Sequence, residues 1–593
     1  MKLHLNNILF KYFKLILILF ISLPLLILFQ NCSSPYELAI NSSTHLNIPT
    51  ASRASENGGG DTYDGKIVRF HFFENVEVLN TFVAPIGSES PYAISNNLLP
   101  EGLHFDPETG LIYGTPREIV TSPLVYQTSG FINGSKILQF IEITVGRVYY
   151  INSPISNIFD SDIDHTDNLC FTKDGYCSLT AAIEQTNANL VKSRIILPNF
   201  EIKLNSHSLI ITKPVEIWGG DPSQTILNGE NKVRIFDIFT DDFSLKDLQL
   251  LNGKVIDPIN NEIYGSCLRQ DITKLPSVIK ELQNNSLALF STKLPPSILS
   301  LNNVTISNCT IDAIPSDNGG ALFFNGSQLT IKNSRFYNNK NNNGSGSNVG
   351  GAALHAKRGY IKIENTNFEN NFSVYNGGAI YCQACGLDIS SSVFRQNISE
   401  YGGSAIYLFS AGLKVESSDF VQNTSGTKDI FNNGLGGTIK YFMGSLNMFE
   451  TEITNNLFLK NKSTVGSAID FGFNEFGCFS EVNEYNFIFD NNKFVDNLDT
   501  IAKGGSIIIP KNCKLLFVNN IFKNNLPKNC SFESSINSQH PLGEVISKGQ
   551  NIESSNSCNF THSTDQSNVT SISIINKYNI DSGYFTTYAP KSL

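Results

Sequence analysis

The chain has little charge. Asp, Glu, Lys and Arg make up only 16% of its 593 residues, too few for long solvated helices laced with ion pairs. It has no basic stripe either. The formal net charge is −10, and losing the leader described below would remove Lys2, Lys11 and Lys14 and no acid, taking it to −13. Phosphate attraction supplies most nucleic-acid affinity, so nucleic acid is excluded as a partner. No HExxH pair and no nucleophile elbow occurs, and the histidines are dispersed. The glycine-rich GSGSNVGG lacks a P-loop lysine and reads as a turn. No ten-residue amphipathic strands close the C-terminus as a membrane barrel would require.

What is present is apolar residues (41%) with much Asn, Ser and Gly, a mixture suited to short strands and tight turns. A chain of this length divides into two or more domains. Residues 1–31 read as a targeting segment. A basic stretch precedes the fifteen-residue run LILILFISLPLLILF (Leu15 to Phe29), short for a bilayer span and interrupted by Pro24. The run ends at LFQNC, which resembles the lipobox of bacterial lipoproteins, with Gln30 and Asn31 in place of its small residues. That resemblance implies lipidation of Cys32, attachment to a membrane, and a place on the bacterial outer membrane or cell surface. An uncleaved signal anchor and a leader cut elsewhere are the alternatives. Residues 32–61, rich in Ser, Asn and Gly, read as a flexible tether.

Residues 62–146 alternate apolar and polar residues in short runs, as a β-sandwich does. Within them LPEGLHFDPETGLIYGTP (residues 99–116) resembles an immunoglobulin-like family of bacterial surface proteins. Leu99, Pro100, Gly102, Leu103, Phe105, Thr109, Gly110, Ile112, Gly114, Thr115 and Pro116 carry the likeness. Leu103, Phe105 and Ile112 are expected to face inward around a turn at Asp106 to Gly110. The family's role is a spacer or an adhesion module.

The segment around YCSLTAAIEQTN resembles the CSLREA entry of secreted parallel β-helices, through Cys177, Ser178, Leu179, Ala182, Ile183 and Asn187. Thr180 and Ala181 replace its Arg and Glu. Ser178 is expected to cap a short helix whose apolar face lids the first coil. Asp160, Asp162 and Asp164 have the spacing of a calcium loop. His165 and Phe171 stand where that loop needs Gly and Glu, so calcium competes with a solvated acidic linker. No other cofactor or metal site is expected.

From residue 159 to the C-terminus the chain repeats. Glycine-led starts occur at Gly319–Gly320, Gly350–Gly351, Gly377–Gly378 and onward to 504–507, and each leads through an alternating strand to Phe-x-x-Asn. Phe336/Asn339, Phe368/Asn371 and Phe394/Asn397 open that series. Short strands at a period of mostly 25 to 38 residues, without a helix, specify the coils of a right-handed parallel β-helix. About ten or eleven coils make a rod on the order of 50 Å long. Like residues should stack, Phe inside, with glycine pairs at a tight corner and Asn amides shared up a ladder. The expected class is all-β, an immunoglobulin-like sandwich before a pectin lyase-like solenoid with a short capping helix.

The paired GGA[ILV] and FxxN motifs over 319–525 resemble polymorphic outer-membrane protein repeats, which belong to surface adhesins. Disulfides are expected for Cys170 with Cys177, Cys382 with Cys385 and Cys530 with Cys558, and Cys478 with Cys513 is a further candidate. CQAC (Cys382 to Cys385) could also hold free thiols. Residues 254–299 read as a loop excursion, either a partner site or a plain insertion. Glu364, Asp388 and Glu416 sit at similar places and could stack into an acidic column. The expected function is a non-enzymatic adhesin or binding rod for host or matrix macromolecules or polysaccharide. The alternatives are a polysaccharide lyase or glycoside hydrolase on the same scaffold, and a passive spacer.

Overall fold

The computed structural model describes residues 62–572, apart from 96–97, 157–159, 166, 205–206, 256–264, 275–296, 313–318, 343–349, 427–435, 443–450, 472–486, 501–503, 512 and 533–542. The leader, Cys32 and the tether lie outside the described residues, as do Cys478 and most of the 254–299 excursion.

Alternating residues near the start of the described chain build two small sheets. One has four strands in the order Thr62–Phe73, Ser135–Gly146, Val120–Ile132, Glu89–Ile94. The other has three, Val78–Phe82, Leu111–Gly114 and Leu103–Asp106. Between them lie Phe72, Val83, Leu103, Ile112, Tyr126 and Ile141, with Phe105 partly buried against the cluster. The expected turn forms because the Asp106 carboxylate accepts the Glu108 N–H at 2.9 Å and the Thr109 hydroxyl at 2.6 Å. Gly102 and Gly114 face each other across neighbouring strands. A Cβ on Gly114 would lie 2.2 Å from the Gly102 carbonyl oxygen, so the motif's glycines mark a backbone contact too close for any side chain.

The chain passes from this unit into the solenoid without a long linker. Val148–Tyr150, upstream of residue 159, already pairs in parallel with Arg194–Ile196. At the crossing the Arg194 guanidinium lies between two rings, 3.9 Å from the Phe73 centroid and 3.6 Å from that of Trp218. Glu216 holds it edge-on through Oε2 at 2.9 and 3.1 Å. Lys192 bridges Glu216 and Asp242 at 3.0 and 2.9 Å.

The helix Leu179–Ala188 sits where the sequence places a lid. The Ser178 hydroxyl accepts the Ala181 N–H at 3.0 Å, and Leu179, Ala182 and Ile183 are buried in the solenoid core.

One 33-stranded sheet, which begins with Val148–Tyr150 ahead of the helix, is wound as coils, with every pairing parallel and three main strands to a turn. This is a parallel β-helix. Its inner columns read down the register: Leu322, Leu354, Ile380, Ile406, Ile439, Ile469 and Ile507 on the first strand. On the third strand come Phe336, Phe368, Phe394, Phe420, Phe458, Phe494 and Phe522. Neighbouring rings in that phenylalanine column are 4.7–4.9 Å apart and within 11° of parallel. That is the strand spacing itself, about 4.8 Å, so ring stacking and backbone pairing reinforce one another.

FxxN turns out to combine two asparagine roles. The residue before the final Asn takes a left-handed backbone, and Asn338, Asn370, Gln396, Gln422, Lys460, Asp496 and Asn524 share that place with φ of 52–55°. The final Asn is buried. Asn397 donates from Nδ2 to Phe368 O at 2.9 Å and to Asn423 Oδ1 at 3.0 Å, while its own Oδ1 accepts the backbone and side-chain N–H of Asn371. The same pattern runs from Asn339 to Asn525. At the glycine corner, Gly351 has φ +71° and a Cβ there would lie 2.1 Å from the Leu354 carbonyl oxygen.

Candidate functional site: the outward faces of the coils

Interior positions are filled by the core, so chemistry has to come from side chains that point outward, and the register fixes their neighbours. On the second strand of the coil one outward column reads Ser300, Thr330, Lys362, Asp388, Lys414, Glu452. The column beside it reads Asn302, Lys332, Glu364, Ser390, Glu416, Thr454. The acids that could have formed one column therefore do not. Asp388 lies two residues off the line of Glu364 and Glu416, and Ser390 separates those two. Where an acid has an immediate charged neighbour in its column, that neighbour is a lysine. Lys332 meets Glu364 at 3.1 Å and Lys414 meets Glu452 at 3.2 Å. The hydrogen bond to Glu452 holds the Lys414 ammonium above its ordinary range. Tyr360 donates to Asp388 Oδ2 at 2.6 Å, and burial together with that carboxylate pushes the phenol well above its usual value.

Such exposed pairs contribute little stability, but they set the chemistry of the face. Paired-carboxylate hydrolysis needs two acids across a bond, and calcium needs several oxygen ligands around one point. A single-file ladder of alternating sign supplies neither. Among the described residues no three His, Cys, Asp or Glu side chains converge as a metal site would require.

Of the three acids with calcium-loop spacing, Asp162 uses its carboxylate in local hydrogen bonds. Asp162 accepts the N–H groups of Asp164 and Phe171, each at 2.9 Å, and the Gln185 amide at 3.0 Å. It thereby ties the segment around Phe171 to the lid helix. The Asp160 carbonyl accepts the Ser178 hydroxyl at 2.7 Å.

The outward side of the first strand is different, and the sequence reading passed over it. One column reads Asp237, Arg269, Phe323, His355, Tyr381, Tyr407, Lys440, Asp470, and all eight side chains are buried. Rings adjoin through its centre: Phe323 and His355 at 5.5 Å and tilted, then His355 and Tyr381 at 4.8 Å and Tyr381 and Tyr407 at 5.3 Å, both stacked. Each end is an ion pair, Arg269 with Asp237 and Lys440 with Asp470. His355 Nδ1 lies 3.1 Å from Gly350 O, and Nε2 is buried without a hydrogen-bond partner among the described residues. Burial lowers its pKa to about 3, so the ring is neutral. The signal was in the repeats: the residue after the inward Leu322, Leu354, Ile380, Ile406, Ile439 and Ile469 reads Phe, His, Tyr, Tyr, Lys, Asp from Phe323 to Asp470. An outward place that is repeatedly bulky and ends in charge is unusual for a solvated strand.

Cys170 and Cys177, Cys382 and Cys385, and Cys530 and Cys558 are joined as disulfides. Cys267 and Cys309 form another, which the sequence reading did not pair. Cys513 is disulfide-bonded as well.

The geometry defines the class, an all-β chain with a sandwich ahead of a parallel β-helix, and comparison with known proteins agrees on the immunoglobulin-like part. A family model described as "Putative Ig domain" matches residues 73–129. No curated protein and no solved structure matches the chain. No helix among the described residues is long and apolar enough to cross a membrane.

Proposed function

We propose that the chain is a lipid-anchored surface protein of a bacterium, whose rod and immunoglobulin-like module bind host or matrix macromolecules or polysaccharide without cleaving them. The observation that carries this reading is the outward ladder Lys362, Asp388, Lys414, Glu452. Stacked coils repeat one polar site at about 4.8 Å steps, which suits an extended polymer lying along the rod better than a reaction at one bond. The immunoglobulin-like module is of a kind that serves surface binding, and Cys32 would hold both modules at the membrane through its acyl chains.

The anchor is tested by growing cells with labelled palmitate. The full-length chain should take up label, stay in the membrane fraction and make cells adhere to immobilised matrix or polysaccharide. Cys32→Ala should lose the label and appear in the medium. Label retained by Cys32→Ala, or no adhesion by labelled cells, would remove one half of the proposal each.

A further inference from the structure

Lys440 and Asp470 occupy the same place on successive coils and touch through Nζ and Oδ2. Their side chains are only 2% and 3% exposed. The other lysine–carboxylate contacts among the described residues are wetter. Lys332, Lys414 and Lys232 are 43–57% exposed, and Lys192, the next most buried, keeps 12%. The surroundings of Lys440 and Asp470 are tight and dry. Tyr407 precedes Lys440 in the column and is itself buried. The corner glycines leave just enough room. A Cβ on Gly437 or Gly466 would lie 3.0 or 2.9 Å from Asp470 Cβ, and one on Gly402 would lie 3.3 Å from Lys440 Cγ.

An amine and a carboxyl held so are reactants as well as an ion pair. In water, amide formation between them is slow, because both ionise and must first find each other. Here both obstacles shrink. Groups fixed in contact can reach effective concentrations on the order of 10⁵–10⁸ M. Burial also disfavours separated charges. The proton that the amine must shed is the one that the carboxylate must gain, so a single transfer along the contact makes both groups reactive.

We propose that Lys440 and Asp470 are the site of an intramolecular isopeptide bond that staples two neighbouring coils. Lys440 Nζ, with its lone pair free, attacks Asp470 Cγ to give a tetrahedral centre. The Cγ–OH bond then breaks, the oxygen leaves as water with the proton shed by nitrogen, and an Nζ–Cγ amide remains. No oxidant, reductant or further reactant is consumed. The bond replaces two buried charges by one neutral amide and closes a covalent loop around one full coil. At the opposite end of the column Arg269 meets Asp237. A guanidinium is too weak a nucleophile for the same reaction, so that end stays an ion pair.

The test is tandem mass spectrometry on the purified full-length chain, reduced, denatured and digested with trypsin. The expected product is fragment 429–460, uncleaved at Lys440, joined to fragment 463–493 with the loss of one water. Lys440→Arg should abolish the joined product, and circular dichroism reports whether that variant keeps its β structure. If the variant does not fold, the wild-type digest decides alone. Free fragments 441–460 and 463–493 from the wild-type chain, with no joined product, overturn the assignment.

Discussion

Asn551 gives both its backbone N–H and its side-chain Nδ2–H to one oxygen, Asp565 Oδ1, at 3.0 and 3.1 Å. The amides below it are oriented alike. Asn456, Asn492 and Asn520 each donate to the next asparagine toward the C-terminus. The parallel ladder through Asn525 reaches Asn529, which donates to Glu553 Oε2 at 3.2 Å. In both ladders the amide dipoles point their positive ends down the rod, and both stop on a carboxylate. A carboxylate has no donor left to satisfy and answers the accumulated dipole, as an acid does at a helix N-terminus.

Removing that stop should loosen the last coil first. Asp565→Ala leaves the Asn551 backbone N–H unpaired, at a cost of about 1–3 kcal/mol, while Asn551 Nδ2 keeps Phe517 O and Ser547 Oγ as acceptors. Asp565→Asn keeps an acceptor and should cost less. Amide exchange checks this: protection at Asn551 and Asn520 should fall in the alanine variant while protection around Asn371 is unchanged.

In mid-ladder the same loss is larger. Asn397→Ala takes the acceptor from the Asn371 backbone N–H and from one Nδ2–H above it and removes the donor to Phe368 O, while Asn423 Oδ1 keeps the backbone N–H of residue 397. Phe394→Ala empties a place between Phe368 and Phe420 and should cost about 3–5 kcal/mol. Denaturant unfolding of each variant gives the comparison. Gln396→Asn, one residue away at the left-handed place, should be neutral or slightly stabilising.

Much of this architecture could be read from the residues, because a coil must repeat its corner and every repeat samples the same constraint. Phe336, Phe368 and Phe394 announced the inner column, and Ser178 with Leu179 announced the lid. Lateral partners were harder to see. Asp388 looked equivalent to Glu364 because both sit in an alternating strand, yet the two are offset by two residues, and only the pairing of neighbouring coils fixes that offset. The His355 column escaped for a related reason: alternation assigns its members to solvent, whereas they are buried. Cys267 and Cys309 are far apart in sequence and adjacent only once the coil closes.

Acid should weaken the fold through His355. Its folded pKa, about 3, lies below its ordinary value of 6.5, so the unfolded chain binds the extra proton first. The neutral ring's contribution is complete above about pH 6.5 and is lost as pH falls toward 3, at up to about 1.4 kcal/mol per pH unit. His355→Phe continues the ring stack of Phe323 and Tyr381 without a titrating group. Unfolding curves from pH 7 to 4 should be flatter for that variant by this slope.

Arg194 should control the junction. The chain has one tryptophan, so emission from Trp218 reports directly on the guanidinium stacked against it. Arg194→Ala removes the bridge between Phe73 and Trp218 and leaves Glu216 with Lys192 alone. Trp218 emission should shift, and limited proteolysis near residues 147–152 should quicken. Arg194→Lys should recover the charge but not the stacking, and so only part of the effect.

The reading as a rod that binds without cutting is tested most directly by one incubation. The full-length chain is mixed with labelled pectin, alginate, glycosaminoglycan and chitin, and both retention on the protein and polymer length are followed. Retention of at least one polymer at unchanged length, with no new reducing ends and no unsaturated uronide absorbance, is the predicted result. Shortened polymer carrying new ends would contradict it.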